Sequence, residues 1–520
     1  MNTVQPFRDS TVAVEAARRA LSAGDIATTE RICAEVVSLV PGCARAWMLL
    51  TETALLRGRP DAAVVSAARA VALAPDDPIA HILRAKALFV RGEAAEARNA
   101  AAAAQQVVGT EPEALDSLGA IYGLLGQYQA AARLFQRTLA VCRDVPQYWF
   151  NLAATERMTG EFNAAEEHCD CAIALDHGFG LAHYLRSDLR TQTLERNHIA
   201  QMESVLREEK LGRDSEAMIH FALAKEYEDL EEYDRAFDYV ASGSRLHRQS
   251  IQYDSAAEIA EIDGIIRNQT RARLASCRPG FFDADPVFVV GLPRSGTTVV
   301  ERIIASHSAM TSAGEIGAFQ VELQRASRAL GGMVDLAQVG RRYADAVSEG
   351  LPRNRRFIDK TLQNYLYVGA IHAALPRAKI VLVHRHPLDS CWAMYKAHFR
   401  GKFSFSYDQL ELAEYYLAFR RLAAHWRATL PAHALLEVRY EDVVHNQEAE
   451  SRRLTEFLGL DWEDEVLRFH ESQAPSATAS AAQIRRPIYS SSVGKWRHHA
   501  ERLAPLRARL GRDMAMDTLE

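Results

Sequence analysis

Between Gly291 and Thr298 the chain reads Gly-Leu-Pro-Arg-Ser-Gly-Thr-Thr, after the apolar run VFVV and before a second apolar-rich run. Strand, tight loop and helix in that order is the punctuation of a phosphate-holding turn. The template G-x-x-x-x-G-K-[ST] fits at every fixed position but one, because Thr297 stands where the lysine belongs. Backbone N–H groups and the positive end of a helix dipole would surround an anion here. Arg294 adds a permanent, fork-shaped cation, and Thr297 and Thr298 add hydroxyl donors. A nucleotide triphosphatase would need the missing lysine, and a second strand ending in an aspartate for magnesium. The second apolar strand, KIVLVHR (379–385), instead runs into His384-Arg385-His386. A basic strand end suits a second phosphate and not a metal. The site expected is one for a nucleotide phosphorylated at two places, with no metal required.

The elements that must carry this loop fall into two unlike halves. Gly24, Gly58, Gly92, Gly126 and Gly160 lie 34 residues apart, with alanine five residues later at Ala63, Ala97, Ala131 and Ala165. Each unit reads as helix, glycine turn, helix. Period and motif resemble the tetratricopeptide repeat, with Trp47 and Tyr148-Trp149 as the large residues early in their repeats. After Gly160 the period slips, and a weaker unit at 221–240 carries Glu231 at the glycine position. Such arrays bind extended segments on a concave face, or serve as packing and dimerisation platforms; both readings stay open. Helical periodicity breaks near 268–286, at Pro279-Gly280 and Pro286. Beyond it VFVVG, KIVLVHR and ALLEVRY (434–440) alternate with helical stretches, as in an α/β domain with a mainly parallel sheet. The expected division is 1–267 for the α-helical repeat superhelix and 286–520 for the α/β domain.

The 520 residues are 48% apolar and 25% charged, with a net charge of −6 and seven irregularly placed cysteines. That is globular composition without a disulfide framework or a general affinity for nucleic acid. The N-terminal stretch has no apolar h-region and no run of eighteen apolar residues occurs, so the expectation is a cytoplasmic chain with neither membrane nor nucleic-acid partners.

Residues 293–298, PRSGTT, resemble the 5′-phosphosulfate loop of the sulfotransferases that use 3′-phosphoadenosine 5′-phosphosulfate (PAPS), and VHRHPLDS resembles their 3′-phosphate strand. Joined to the repeats, the chain resembles bacterial tetratricopeptide-repeat sulfotransferases, with the catalytic part similar to protein-tyrosine sulfotransferases. The resemblance implies a P-loop-like domain that binds PAPS, releases PAP (3′-phosphoadenosine 5′-phosphate) and needs no metal. It assigns Arg294, Ser295, Gly296, Thr297 and Thr298 to the 5′ loop, Arg294 also to the moving sulfuryl group, and Arg385 to the 3′-phosphate. Glu315 matches the catalytic base, Lys360 a lysine supporting the departing phosphate, and Tyr440 a cofactor-contacting tyrosine. The late loop SAAQIRRPIY (480–489) would place Ser480 as a catalytic serine and Gln483, Arg486 and Tyr489 on the cofactor, followed by Lys495. One departure stands out: Ala393 and Ala397 occupy positions where the family holds the 3′-phosphate with a serine and a basic residue, so Ser390 or Lys396 would have to substitute.

Each assignment has a plainer alternative. Glu315 could be a first-turn helix acid, Lys360 a surface cation, Ser480 a linker serine, Tyr440 a core residue. Sulfuryl transfer to an acceptor hydroxyl is the expected activity. The acceptor could be a peptide tyrosine held by the repeats, a sugar or a small phenol. The alternative is a repeat scaffold whose degenerate domain only senses PAP or PAPS.

Overall fold

In a computed structural model of the chain, the residues described are 10–208, 210–329, 334–348, 351–352, 354–472, 487–488 and 490–511. They divide into two compact units, one up to residue 156 and one from residue 157 onward.

The first unit is built from helix pairs: Ser10–Ser22 with Ile26–Leu39, Ala44–Leu56 with Pro60–Leu73, Pro78–Arg91 with Ala94–Val107, and Pro112–Leu124 with Tyr128–Val141. Pro78, Pro112 and Pro146 each open a helix, 34 residues apart, where a missing N–H costs nothing and the fixed φ favours helix. The turn glycines adopt left-handed backbone, with φ of 79°, 64°, 92°, 74° and 95° from Gly24 to Gly160. The alanines five residues on, Ala63, Ala97 and Ala131, are fully buried where paired helices meet, and Ala165 in the second unit is fully buried too. A further device recurs at one position in four of the repeats, Leu115 being the exception. Trp47 Nε1 donates to the Pro41 carbonyl at 3.0 Å and Trp149 Nε1 to Arg143 at 2.8 Å. At the same repeat position His81 Nε2 meets Pro75 O at 2.7 Å, and His183, in the second unit, meets His177 O at 2.8 Å. Ring N–H groups thus satisfy carbonyls left open where the preceding helix ends.

The second unit contains a five-stranded parallel sheet of order β2-β3-β1-β4-β5, from β1 (Val287–Val290), β2 (Met310–Gly314), β3 (Arg356–Asp359), β4 (Lys379–His384) and β5 (Leu435–Arg439). The mainly parallel α/β reading holds, and β2 and β3 join the three strands legible in the sequence. Central β1 is buried at every residue, as a strand covered on both faces must be. Phe288 and Val290 face one apolar cluster, Val287 and Val289 the other. The first cluster also takes Phe221, Ala224, Phe237, Val240 and Ile262 from helices Arg213–Asp229, Tyr233–Ser250 and Ser255–Asn268. The helical segment before residue 268 therefore shares a core with the sheet. The Pro-Gly break at 279–280 is docked there too, with Phe281 N donating to Ala374 O at 2.8 Å.

Glu231 adopts φ 62°, so the weak repeat keeps the glycine-type turn with a residue that tolerates it poorly. Left-handed backbone costs a non-glycine residue roughly 1–2 kcal/mol. Glu231→Gly should therefore raise stability by about 1 kcal/mol, and Gly126→Ala, whose Cβ would meet nothing within 4 Å, should lower it by a similar amount for conformational reasons alone. Denaturant titration of the two variants should give shifts of opposite sign.

Candidate functional site

Parallel strands bring all their carboxyl ends to one edge of the sheet, where ligands of open α/β sheets bind. Along that edge follow the Gly291–Gly296 turn after β1, Glu315 after β2, Lys360 after β3, Arg385 after β4 and Tyr440 after β5. Five residue positions far apart in sequence thus become neighbours in one row.

The turn after β1 is held by backbone geometry. Arg294 sits at φ 66° and Gly296 at φ 98°, and helix Thr297–Ala305 starts at once, with Thr297 and Thr298 buried at its head. A Cβ on Gly291 would lie 2.5 Å from the Val383 carbonyl, so only glycine lets β1 and β4 run this close. A Cβ on Gly296 would lie 2.2 Å from the Tyr440 ring, which covers the turn from the β5 side. Ser295 is 1% exposed and its Oγ has no hydrogen-bond partner among the described residues. Buried hydroxyls are nearly always bonded, so an unpaired one in an anion-type turn fits a ligand oxygen.

Arg385 locks this turn to the end of the chain. Its Nη1 donates to Arg294 O at 3.3 Å, its Nη2 to Ser492 O, and its guanidinium lies 5.1 Å from the Tyr440 ring centre. The Nε, also buried, has no partner among the described residues. Tyr440 Oη is 2.9 Å from Ser492 Oγ. Asp389, four residues after Arg385, accepts from Gly494 N at 2.6 Å and Trp496 N at 3.1 Å. Ser492 and Asp389 were not anticipated. Asp389 at i+4 from the strand-end arginine was the one signal available, since a helix places such a pair on one face.

On the other side of β1 the candidate base and lysine are bonded to each other. Lys360 Nζ donates to Glu315 Oε1 at 2.5 Å; Lys360 is 1% exposed, whereas the Glu315 side chain is 41% exposed. An ammonium taken out of water needs such a partner, and Lys360 is accordingly not a surface cation. Its backbone N–H donates to Gly314 O at 2.9 Å, fixing the ends of β2 and β3 together. Asp359 beside it is buried, which pushes its carboxyl up, while hydrogen bonds from Thr361 and Tyr343 oppose that. Glu315 follows the strand and precedes helix Ala318–Ala329 by three residues, with its carboxylate open to an acceptor.

Lys495 lies 3.9 Å from Glu228, whose carboxylate also accepts from Lys396 Nζ, at 2.7 Å to Oε1. Ser390 is buried on helix Pro387–Tyr395, as is Ala393. His307 sits beyond the far end of helix Thr297–Ala305 with Nε2 2.8 Å from Asp461 O, before β2 begins, at the opposite edge of the sheet from Glu315. Ser480, Gln483, Arg486 and Tyr489 lie outside the described residues. Among the described residues no cluster of three or more His, Cys, Asp or Glu side chains could hold a metal ion, and no helix is long and apolar enough to cross a membrane.

The Gly296–Tyr440 contact is testable by itself. Gly296→Ala should cost about 2–4 kcal/mol, from overpacking and from left-handed backbone together. Tyr440→Ala added to it should recover the overpacking share, which paired denaturant titrations would read as a non-additive double mutant.

Comparison with known proteins adds the family. Residues 286–464 match the model of a sulfotransferase family, and residues 20–86 and 122–177 match tetratricopeptide-repeat models. An uncharacterised protein of Aquifex aeolicus is 29% identical over 328 residues, 59% of this chain and 43% of that protein, so the match spans less than half of that relative's length. Among solved structures, the sulfotransferase domain of the Synechococcus PCC 7002 olefin synthase aligns at 19% identity and TM-score 0.34, over 44% of this chain and 98% of that one. A thermophilic tetratricopeptide-repeat protein of Thermus thermophilus aligns at 17% identity and TM-score 0.30, over 32% of this chain and 92% of that one. The chain is thus similar to tetratricopeptide repeats over residues 20–86 and 122–177 and to a sulfotransferase family over residues 286–464.

Proposed function

We propose that the protein transfers a sulfuryl group from PAPS to an acceptor hydroxyl, with PAP as the other product. The observation that supports this most is the row of groups at the strand ends. An anion turn with an unpaired buried Ser295 Oγ, flanked by Arg294 and Arg385, stands next to a carboxylate–ammonium pair. PAPS is a substrate that supplies an activated sulfuryl group on a good leaving phosphate. Donor groups of this kind, all N–H, O–H or guanidinium, fit an oxyanion at each of its two phosphorylated positions.

The chemistry asked of the chain is positioning and charge stabilisation. The acceptor oxygen forms a bond to sulfur as the bond from sulfur to the bridging phosphate oxygen breaks. Glu315 takes the hydroxyl proton, being the open carboxylate of the row. Lys360 and Arg294 meet the negative charge that grows on the leaving side and on the sulfuryl oxygens. Because Lys360 rests on Glu315, protonating that carboxylate weakens its hold on the ammonium at the moment the leaving oxygen needs it. Ser480 completes the leaving side in this reading, with Gln483, Arg486, Tyr489 and Lys495 on the nucleotide. A sensing scaffold without transfer remains the rival, favoured by Ala393 and Ala397. The acceptor proposed is a peptide tyrosine, recruited by the repeats.

The test is transfer of labelled sulfate from PAPS to tyrosyl peptide, sugar and phenol acceptors by the full chain and three variants. Arg294→Ala and Lys360→Ala should each lower the rate by roughly 10²–10³, the usual cost of one preorganised charge-stabilising group. Glu315→Gln should abolish transfer with PAP affinity nearly unchanged. Wild-type rates in a folded variant would remove that residue from the mechanism.

The division of labour proposed is 1–267 for recruitment and 286–520 for chemistry, with helices 157–267 also needed for folding. A chain starting at residue 157 should stay soluble and bind PAP, while one starting at 266 should precipitate because Phe221, Phe237 and Val240 no longer cover the sheet. Light scattering and calorimetry of the two truncations distinguish them; a soluble, PAP-binding 266–520 would contradict the shared core.

A further inference from the structure

Glu228 stands near the end of helix Arg213–Asp229, in the helical segment that precedes the sheet, yet its partners belong to the nucleotide row. Both carboxylate oxygens accept from Lys396 Nζ, and Lys495 Nζ is 3.9 Å away. Lys396 follows helix Pro387–Tyr395, which starts directly after Arg385-His386. Lys495 lies in the turn that Asp389 ties down through Gly494 and Trp496, and that Arg385 ties down through Ser492. Both lysines thus ride on elements tied to Arg385 and Asp389, and Arg385 in turn donates to Arg294 O in the anion turn. Glu228 and Lys396 are recessed, at 11% and 23% exposure, while Lys495 reaches solvent at 41%.

The charges explain why a carboxylate is needed here. The ionisable groups facing Lys396 are Glu228, Lys495 and Arg294, and those facing Glu228 are the two lysines and His499. Burial works against the charged form of Glu228, but Lys396 and Lys495 outweigh it and hold the carboxyl at about 2. Burial likewise pushes Lys396 down, with Glu228 opposing and Lys495 and Arg294 adding to the shift. Burial holds His499 at about 4, so it is neutral where the lysines are charged. Without Glu228, two ammonium groups and a guanidinium would repel one another in a recess.

We propose that Glu228 is a positioning residue of the nucleotide site, fixing Lys396 and Lys495 beside the Arg294–Arg385 turn so that both face the anionic donor. Lys396 then supplies cationic charge at the end of helix Pro387–Tyr395, where Ala393 and Ala397 supply none. The inference rests on the PAP/PAPS reading above. It makes the helix before the sheet part of the donor site and not only of its core.

A plain structural staple would change stability alone; a positioning role changes how nucleotide affinity depends on pH. Between pH 7 and 9.5 the phosphates of PAP are ionised, since their second pKa is about 6. In Glu228→Gln the folded pKa of Lys396 falls further, so more of its charge is lost as pH rises than in wild type. Calorimetric titration of the full chain with PAP should then show the shallower pH dependence in wild type. Glu228→Gln should weaken by roughly tenfold more than wild type across the window, about 1.4 kcal/mol for one lost charge. Glu228→Asp should restore the wild-type profile. Lys396→Met, which leaves Glu228 paired with Lys495, should bind PAP about tenfold more weakly at pH 7 without the added pH slope. Parallel profiles for wild type and Glu228→Gln would overturn the proposal. So would wild-type affinity in Lys396→Met, even if Glu228→Gln does not fold. No PAP binding by the wild-type chain at any pH would overturn the donor assignment, and this proposal with it.

Discussion

Everything proposed for this chain depends on five parallel strands ending at one edge. Parallel pairing forces each strand to return through a crossover, and the crossovers here are helices and loops that leave the carboxyl ends open as a row. The order β2-β3-β1-β4-β5 puts the anion turn at the centre, the Glu315–Lys360 pair on one side and Arg385 and Tyr440 on the other. A different order with the same residues would separate a candidate base from the candidate sulfuryl-binding arginine. The tightness of the centre is set by two glycines, since side chains at Gly291 and Gly296 would strike the Val383 carbonyl and the Tyr440 ring.

The second constraint is electrostatic. Cations gathered at one edge of a sheet repel one another, and the fold answers with carboxylates placed behind them. Glu315 holds Lys360, Asp389 lies 4.0 Å from Arg385, and Glu228 holds Lys396. Each pair is at least partly shielded, where a lone charge would be costly. The same carboxylates also connect segments, so charge balance and architecture are one problem. Glu228 links the helices before the sheet to the segment that follows β4, just as Phe221 and Phe237 link them to the sheet's core.

Local patterns told most of the story that local physics controls. The glycine period, the buried alanines, the loop after β1 and the strands β1, β4 and β5 are written in residue types over short windows. Strand β2, Met-Thr-Ser-Ala-Gly, has no apolar run, and β3, Arg-Phe-Ile-Asp, is four residues with charged ends. Both form because neighbours in the sheet accept their backbone groups, which no single window contains. The partnership of Lys396 with Glu228 spans 168 residues and that of Gly494 with Asp389 spans 105. Such pairs are invisible until the chain has folded. Glu231 was legible as a glycine substitute but not as a left-handed residue, because the turn imposes that conformation from outside.

The central claim is that the strand-end row grips a nucleotide phosphorylated at its 3′ and 5′ positions without help from a metal. Calorimetric titration of the full chain with PAP and with ATP, each in EDTA and again with magnesium, tests it most directly. The account predicts PAP binding of equal strength under both conditions and much weaker binding of ATP under either. Tight binding of ATP that depends on magnesium, with none of PAP, would contradict it.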